Sequence, residues 1–196
     1  MANIEAPFGF RQYSGNGSAP TYEQVPALIA YDADAIYFGD VVYPTTAGTI
    51  VSQAPSTDPV AGVFVGCQYL SVSQKRTVWS NYWPGSDVAS GNFATGYVVN
   101  DPNARFVVQV SGSASVGMTI ADIGQNATFG NAGGNAANGI SGQYLSYQSD
   151  DTTTYPFKVV SLVTNPPGTN GTFAGAYNYV VVGFNNVITK STGTPT

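Results

Sequence analysis

Two pairs of neighbouring carboxylates come nearest to a catalytic or metal-binding pattern in this chain. They are Asp32 and Asp34 in "DAD", and Asp150 and Asp151 in "DD". Paired carboxylates can bind Ca²⁺ or serve in glycoside hydrolysis. Neither pair has further ligands at the spacing of a calcium loop, which needs a central glycine and a terminal glutamate. We therefore expect solvated loop charges, and we predict no metal site and no catalytic residue.

Histidine and cysteine usage removes most other reactive chemistry. The chain has no histidine, so it lacks the usual general base and the commonest metal ligand. Its single cysteine, Cys67, lies in the apolar run 61–69, where a buried and unreactive thiol is expected. We predict a protein that is not an enzyme and that uses no cofactor.

Charge and the length of the apolar runs argue against two further classes of partner. Six basic residues against eleven acidic ones give a net charge of −5, and no basic run is longer than two residues. Binding of nucleic acid through its phosphates is therefore not expected. No apolar run approaches the roughly 18 residues of a membrane-spanning helix. We predict neither a nucleic-acid nor a membrane partner.

An aromatic cluster in "VWSNYWPGSD" (78–87) is more informative, because Trp79, Tyr82 and Trp83 lie within five residues. Such rings form protein interfaces or stack on sugars. On an alternating strand Trp79 and Trp83 would share one face, so the pair could also belong to the core. The three residues are candidate interface residues, with core packing and sugar binding as the alternatives.

The hexapeptide "APFGFR" (6–11) supplies the other candidate interface residues, Pro7, Phe8, Phe10 and Arg11. Pro7 keeps this segment extended. In one interpretation both phenylalanines enter apolar pockets of a neighbouring subunit while Arg11 meets a carboxylate. In the other, the segment closes the protein's own barrel. We predict that deletion of residues 1–11 leaves a folded domain that binds its partner poorly, whereas an unfolded product would support the second interpretation.

The elements that must position these residues are β-strands. Runs rich in Val, Ile, Tyr, Phe and Thr recur about every ten residues and are bounded by Gly, Pro, Asn or Asp. This spacing favours an all-β fold, a single β-sandwich or β-barrel domain, over alternating strands and helices. The predicted strands are 27–31, 35–43, 49–53, 59–70, 77–83, 96–100, 105–110, 157–164 and 177–188.

The chain divides into three parts by composition. Residues 1–26 are predicted as an extended N-terminal arm and connector, residues 27–190 as the β-rich domain, and residues 191–196 as a flexible tail. Within the domain, the Gly/Asn-rich segment 129–143 is predicted to be a long surface loop. Only segment 115–125 could hold a short helical turn.

The order of several segments resembles the head decoration, or cement, proteins of tailed phages. The resemblance spans nearly the whole chain, and its motifs are fold and turn signatures. The C-terminal "VITKSTGTPT" extends beyond the usual family ending. The matching segments are "APFGFR", "AIYFGDVVY", "PVAGVFVGCQYL", "YWPGS", "ADIGQNATF" and "FKVVSLVTNPPGTNGTFAGAYNYVVVGFNN".

This resemblance implies a jelly-roll or tulip-like domain on the outer surface of the capsid in the virion. Such a protein binds the major capsid protein, bridges its subunits and stabilises the shell. A homo-oligomer, dimer or trimer, is expected. The alternative function is a carbohydrate-binding domain of a phage fibre or surface appendage, which Trp79, Tyr82, Trp83 and the acidic loops favour.

Overall fold

Twelve β-strands and one short 3-10 helix form the secondary structure of the residues that the computed structural model describes, which are 3–14, 24–52, 55, 58–111, 117–150, 153–163 and 175–190. The all-β prediction is confirmed, and each of the nine predicted strands overlaps an observed one. The sequence did not predict β1, β9 and β10. The strands are β1 (Arg11–Ser14), β2 (Val25–Ala30), β3 (Val41–Pro44), β4 (Ile50–Ser52), β5 (Gly62–Leu70), β6 (Thr77–Ser80), β7 (Phe93–Val99), β8 (Arg105–Ser111), β9 (Asn126–Asn135), β10 (Ile140–Asp150), β11 (Phe157–Leu162) and β12 (Tyr179–Phe184).

Five strands close into a barrel in the order β8-β10-β9-β11-β12, and the pairing of β12 with β8 completes the ring. One edge of β8 carries β12. Its other edge is shared, because β1 pairs antiparallel with the first half of β8 while β10 pairs parallel with its end. Closure leaves these five strands without a free edge along the ring, which protects them against pairing with other chains.

A second sheet has the order β2-β7-β5-β3-β4, and β6 also pairs with β5. All of its ladders are antiparallel. β3 and β6 lie along different halves of the edge of β5 that is opposite β7. The fold is therefore a β-barrel with a second sheet packed beside it, in agreement with the predicted class.

β3 and the first half of β5 are buried on both faces because they lie between two hydrophobic cores. Val41 and Val63 point into the core that the barrel encloses, whereas Val42 and Phe64 point into the core of the second sheet. Successive side chains of a strand point to opposite faces, so a strand between two cores needs apolar residues at consecutive positions. This requirement explains the unbroken apolar runs of the two strands.

The Gly/Asn-rich segment 129–143 is not a surface loop, as its composition predicts, but most of the β9–β10 hairpin. Its glycines allow aromatic rings to lie on the backbone. A Cβ at Gly134 would collide with the ring of Tyr37, and one at Gly130 would collide with the ring of Tyr144. These rings supply the apolar contact area that the glycines lack. The prediction of a loop is wrong, because the segment pairs as two strands.

The N-terminal segment is part of the domain instead of a separate arm. Phe10 lies in the barrel core, and β1 follows it directly. The side chain of Gln109 on β8 accepts a hydrogen bond from the Ala6 amide at 2.8 Å and donates one to the Ile4 carbonyl at 2.9 Å. The predicted boundary at residue 27 is therefore wrong, since the core begins at Phe10.

A short 3-10 helix, Ile120–Asp122, lies inside the segment where a helical turn was expected. Asp122 caps it, because its carboxylate accepts hydrogen bonds from the backbone and the hydroxyl of Thr119. In the part of the chain that the structure describes, no helix is long and apolar enough to cross a membrane. The predicted tail 191–196 lies outside the described residues.

Candidate binding surfaces

The carboxylate pairs do not form a site within the described ranges. Asp32 and Asp34 are both exposed on the turn after β2. Among the residues described, no three His, Cys, Asp or Glu side chains lie close enough together to hold a metal ion. Asp151 and the side chain of Asp150 lie outside the described part of the chain. The exposure of Asp32 and Asp34 therefore agrees with solvated loop charges.

A buried carboxylate that the sequence analysis missed lies between the two sheets. Asp40 accepts a hydrogen bond from the Ser141 hydroxyl at 2.6 Å and one from the Tyr37 amide at 2.8 Å. Burial raises the pKa of the Asp40 carboxyl above its ordinary value of 3.8, although the hydrogen bonds act in the opposite direction. Asp40 is closed off from solvent, and its hydrogen bond with Ser141 joins the β9–β10 hairpin to the segment that precedes β3 of the second sheet.

Cys67 is buried, as predicted, and its thiol donates a hydrogen bond to the Tyr82 carbonyl at 3.3 Å. Burial raises the pKa of this thiol to about 12. The thiolate, which is the reactive form, is therefore scarce near neutral pH. Cys67 fills space beneath the second sheet.

Trp83 belongs to the core, so its assignment as an interface residue needs correction. Its side chain is fully buried, and the indole N–H donates to the Ala33 carbonyl at 3.1 Å. Tyr69 packs edge-on against it with ring centroids 5.3 Å apart. The shared face predicted for Trp79 and Trp83 is also wrong, because β6 ends at Ser80 and the chain turns inward after it.

Tyr82 is half-buried and forms a stack with Tyr37, with ring centroids 5.7 Å apart and planes within 2° of parallel. The Tyr37 ring also covers Gly134 of the hairpin. The Asn81 amide donates to the Asn138 carbonyl at 2.9 Å next to this stack. Tyr82 therefore helps to hold the hairpin tip against the second sheet.

The N-terminal candidates divide between core and surface. Phe10 is 1% exposed and stacks on Phe157 with centroids 4.4 Å apart, so no neighbouring subunit can reach it. This placement corrects its assignment as an interface anchor. Pro7 and Phe8 are half-buried, and Arg11 lies over the Phe8 ring at 5.0 Å. These three remain candidate surface residues.

Trp79 lies on the solvent side of the second sheet, which we call the outer face. It consists of the outward-pointing residues of β2, β5, β6 and β7. Strand register aligns Trp79, Gln68, Thr95 and Leu28 in one row across all four strands. Trp79 is 68% exposed, and Leu28 is exposed as well. The outer face therefore presents apolar and amide groups together.

One end of the outer face carries what we call the aromatic platform, formed by Trp79, Tyr97 and the amides of Gln24, Gln68 and Asn81. The rings of Trp79 and Tyr97 are within 8° of parallel, with centroids 5.9 Å apart. The Tyr97 hydroxyl donates to the Gln68 side-chain oxygen at 3.2 Å. A depression of about 550 Å³ lies here, and Gly66 forms part of its floor.

The other end of the outer face carries what we call the apolar groove, a depression of about 650 Å³. Leu70 is 64% exposed and Phe93 is 55% exposed on its walls. The residues that line the groove are Leu70, Ser71, Val72, Lys75, Val88, Ala89, Asn92 and Phe93.

Strained backbone borders the apolar groove. Lys75 and Asp87 adopt positive φ angles of 56° and 85°, which side-chain-bearing residues seldom do. Asp87 is held in place by the Ser71 hydroxyl and the Ser73 amide, and these hydrogen bonds lower the pKa of its carboxyl. Such strain persists only where surrounding contacts enforce it, and it clusters at ligand clamps.

Sequence reasoning missed the groove, although one signal was available. Burial alternates along β7 and over the last four residues of β5, and Leu70 and Phe93 fall at open positions, but only Leu70 lies within a predicted strand (59–70). Both depressions are suited to binding a partner through the surface area that is buried on contact.

Comparisons with protein-family models, with curated proteins and with solved structures found no match to this chain.

Proposed function

We propose that this protein is a decoration protein of a tailed-phage capsid, which binds the outer surface of the shell and bridges major capsid protein subunits. The observation that carries the proposal is the apolar groove. It exposes large apolar side chains in a concave surface whose described lining holds one charged residue, Lys75. The order of sequence segments, which resembles that of decoration proteins, gives the proposal its partner.

Contact through the groove gives enough affinity for a protein present in many copies. Leu70, Val72 and Phe93 are all exposed, and full burial of one such side chain contributes about 1.5–3 kcal/mol. A capsid side chain that entered the groove would cover these residues together. Multivalent engagement across a lattice then strengthens contacts that are modest individually.

The charged residues at the groove indicate what kind of capsid surface would fit it. Lys75 lies at the edge of the groove, and the nearby Asp87 carboxylate already accepts hydrogen bonds from Ser71 and Ser73. A capsid segment that combines an apolar side chain with a neighbouring carboxylate therefore complements the groove.

Bridging requires a second contact surface, and the N-terminal strip (residues 4–13) provides one. Ile4 is exposed and Tyr13 is 58% exposed, and between them in the chain Arg11 lies over the Phe8 ring. This strip belongs to the barrel, whereas the groove belongs to the second sheet. We assign the strip to contact with a second capsid subunit or with another copy of this chain, which would form the expected homo-oligomer.

A co-sedimentation experiment tests the proposal with capsid shells that lack the decoration protein. Leu70→Asp places a charge on the groove wall, so we expect at least about tenfold weaker binding. Ile120→Asp is the matched control for the groove, since Ile120 is also exposed but lies on the 3-10 helix, which contributes no residue to the lining of the groove. Its binding should equal that of the unaltered protein.

One outcome would contradict this function, and another would contradict its assignment to the groove. Failure of the folded, unaltered chain to bind such shells would reject capsid decoration. Equal binding by Leu70→Asp and the control would retain the function but reject the groove as its contact.

A further inference from the structure

The aromatic platform combines an open indole with uncharged amides, and we propose that it is a binding site for a neutral oligosaccharide. This inference goes beyond capsid decoration, because it concerns the other end of the outer face. The residues Gly66 and Leu70 mark the two ends on β5, and they are about 13 Å apart along the strand. A partner in the groove can therefore leave the platform open.

Ring geometry favours a pyranose ligand. The parallel rings of Trp79 and Tyr97 are offset at 5.9 Å, which leaves 68% of Trp79 exposed. Gly66 carries no side chain between them, and a Cβ there would already lie 3.0 Å from the Ser80 carbonyl oxygen. The flat C–H face of a sugar can stack on the exposed indole, and the depression of about 550 Å³ is within the range of small-ligand sites.

Polar groups around the rings suit sugar hydroxyls. The Gln68 side-chain oxygen accepts from the Tyr97 hydroxyl, and the amide nitrogen of the same side chain can donate to a ligand hydroxyl. Gln24 and Asn81 add further amides at the border of the depression. An amide both donates and accepts hydrogen bonds, as does a hydroxyl, so these side chains match a neutral polyol.

Charge distinguishes a neutral oligosaccharide from other ligands that stack on aromatic rings. Among the described residues, no Lys, Arg, Asp or Glu lines the platform depression. Single-stranded nucleic acid also stacks on aromatic rings, but it requires basic groups along its phosphates. An acidic sugar would likewise lack a counter-charge here. Neutral β-1,4-linked chains, whose units present flat C–H faces, fit best.

Titration of the full chain with cellohexaose and with chitohexaose tests the site. Trp79 and Trp83 are its only tryptophans, and Trp83 is fully buried, so a change in tryptophan fluorescence on binding reports on Trp79. Isothermal titration calorimetry supplies the affinity. We expect saturable binding of at least one oligosaccharide, weakened at least about tenfold by Trp79→Ala. Phe93→Ala removes an exposed ring of the groove and should leave the affinity within about twofold.

The outcomes separate this site from the capsid contact. Sugar binding lost in Trp79→Ala but kept in Leu70→Asp supports the proposal, whether or not the chain binds shells. Absence of binding of both oligosaccharides up to about 10 mM overturns it. Sugar binding that persists in Trp79→Ala also overturns it. If Trp79→Ala instead abolishes shell binding and neither sugar binds, the platform is a protein contact and the proposal is wrong.

Discussion

Phe10 connects the N-terminal segment to the barrel core, and its replacement by alanine measures how much that connection contributes. The ring is 1% exposed, stacks on Phe157 at 4.4 Å and meets Phe129 edge-on at 6.1 Å. A phenylalanine of this burial removes about 200 Å² from water. Transfer of such a side chain from water contributes about 1.5–3 kcal/mol, and the cavity that alanine leaves adds to the loss.

The expected loss of unfolding free energy for Phe10→Ala is therefore about 3–5 kcal/mol, the usual range for such a truncation. Domains of this kind are stable by only about 5–15 kcal/mol, so the loss is easily detected. Equilibrium unfolding in urea, followed by far-UV circular dichroism, gives the value. Tyr13→Ala on neighbouring β1 is the control, because Tyr13 is 58% exposed and should change stability by no more than about 0.5 kcal/mol.

A loss below about 1 kcal/mol for Phe10→Ala would refute the packing of the N-terminal segment into its own core. The same packing reverses the expectation for a chain without residues 1–11. Besides Phe10, that deletion removes the Glu5 carboxylate, which accepts a hydrogen bond from Ser111 at 2.6 Å, and the backbone partners of Gln109. The truncated chain should unfold instead of remaining a folded domain with weak shell binding.

Two further predictions concern the junction of the sheets. Burial raises the pKa of Asp40 above 3.8 in the folded chain. The free energy of unfolding should therefore fall, relative to that of the Asp40→Asn variant, as pH rises from below 3.8 through the raised pKa. Urea titrations at several pH values test this, and a constant difference between the two proteins would contradict it. Gly134→Ala forces a Cβ into the Tyr37 ring and should lower the free energy of unfolding by about 1–3 kcal/mol. Gly183→Ala, where a Cβ meets nothing closer than 3.6 Å, should be milder, and equal losses would reject the steric explanation.

Strand positions could be predicted well because strand residues carry a local signal. Each predicted run overlaps an observed strand since Val, Ile and aromatic residues favour the pleated conformation wherever they cluster. The β9–β10 hairpin lacks that signal. Its stability comes from rings such as Tyr37 and Tyr144 lying over glycine, and Tyr37 is almost a hundred positions away from Gly134 in the chain.

Candidate binding residues were harder to predict, because the same residue types serve the core and the surface. Phe8 and Phe10 are two positions apart, yet only Phe10 faces Phe157 and Phe129. Trp79 and Trp83 differ in the same way, since the chain turns inward after β6 and buries Trp83. The groove was missed because its walls come from separate strands, β5 and β7.

The sequence by itself determined the all-β class and the lack of histidine chemistry, because strand propensity and residue inventory are properties of the chain read locally. Tertiary structure alone decided which aromatic residues remain at the surface. Burial depends on what covers a side chain, and the covering groups come from distant strands. For this reason "APFGFR" contributes Phe10 to the core, whereas Trp79 is left open beside Tyr97 on the outer face.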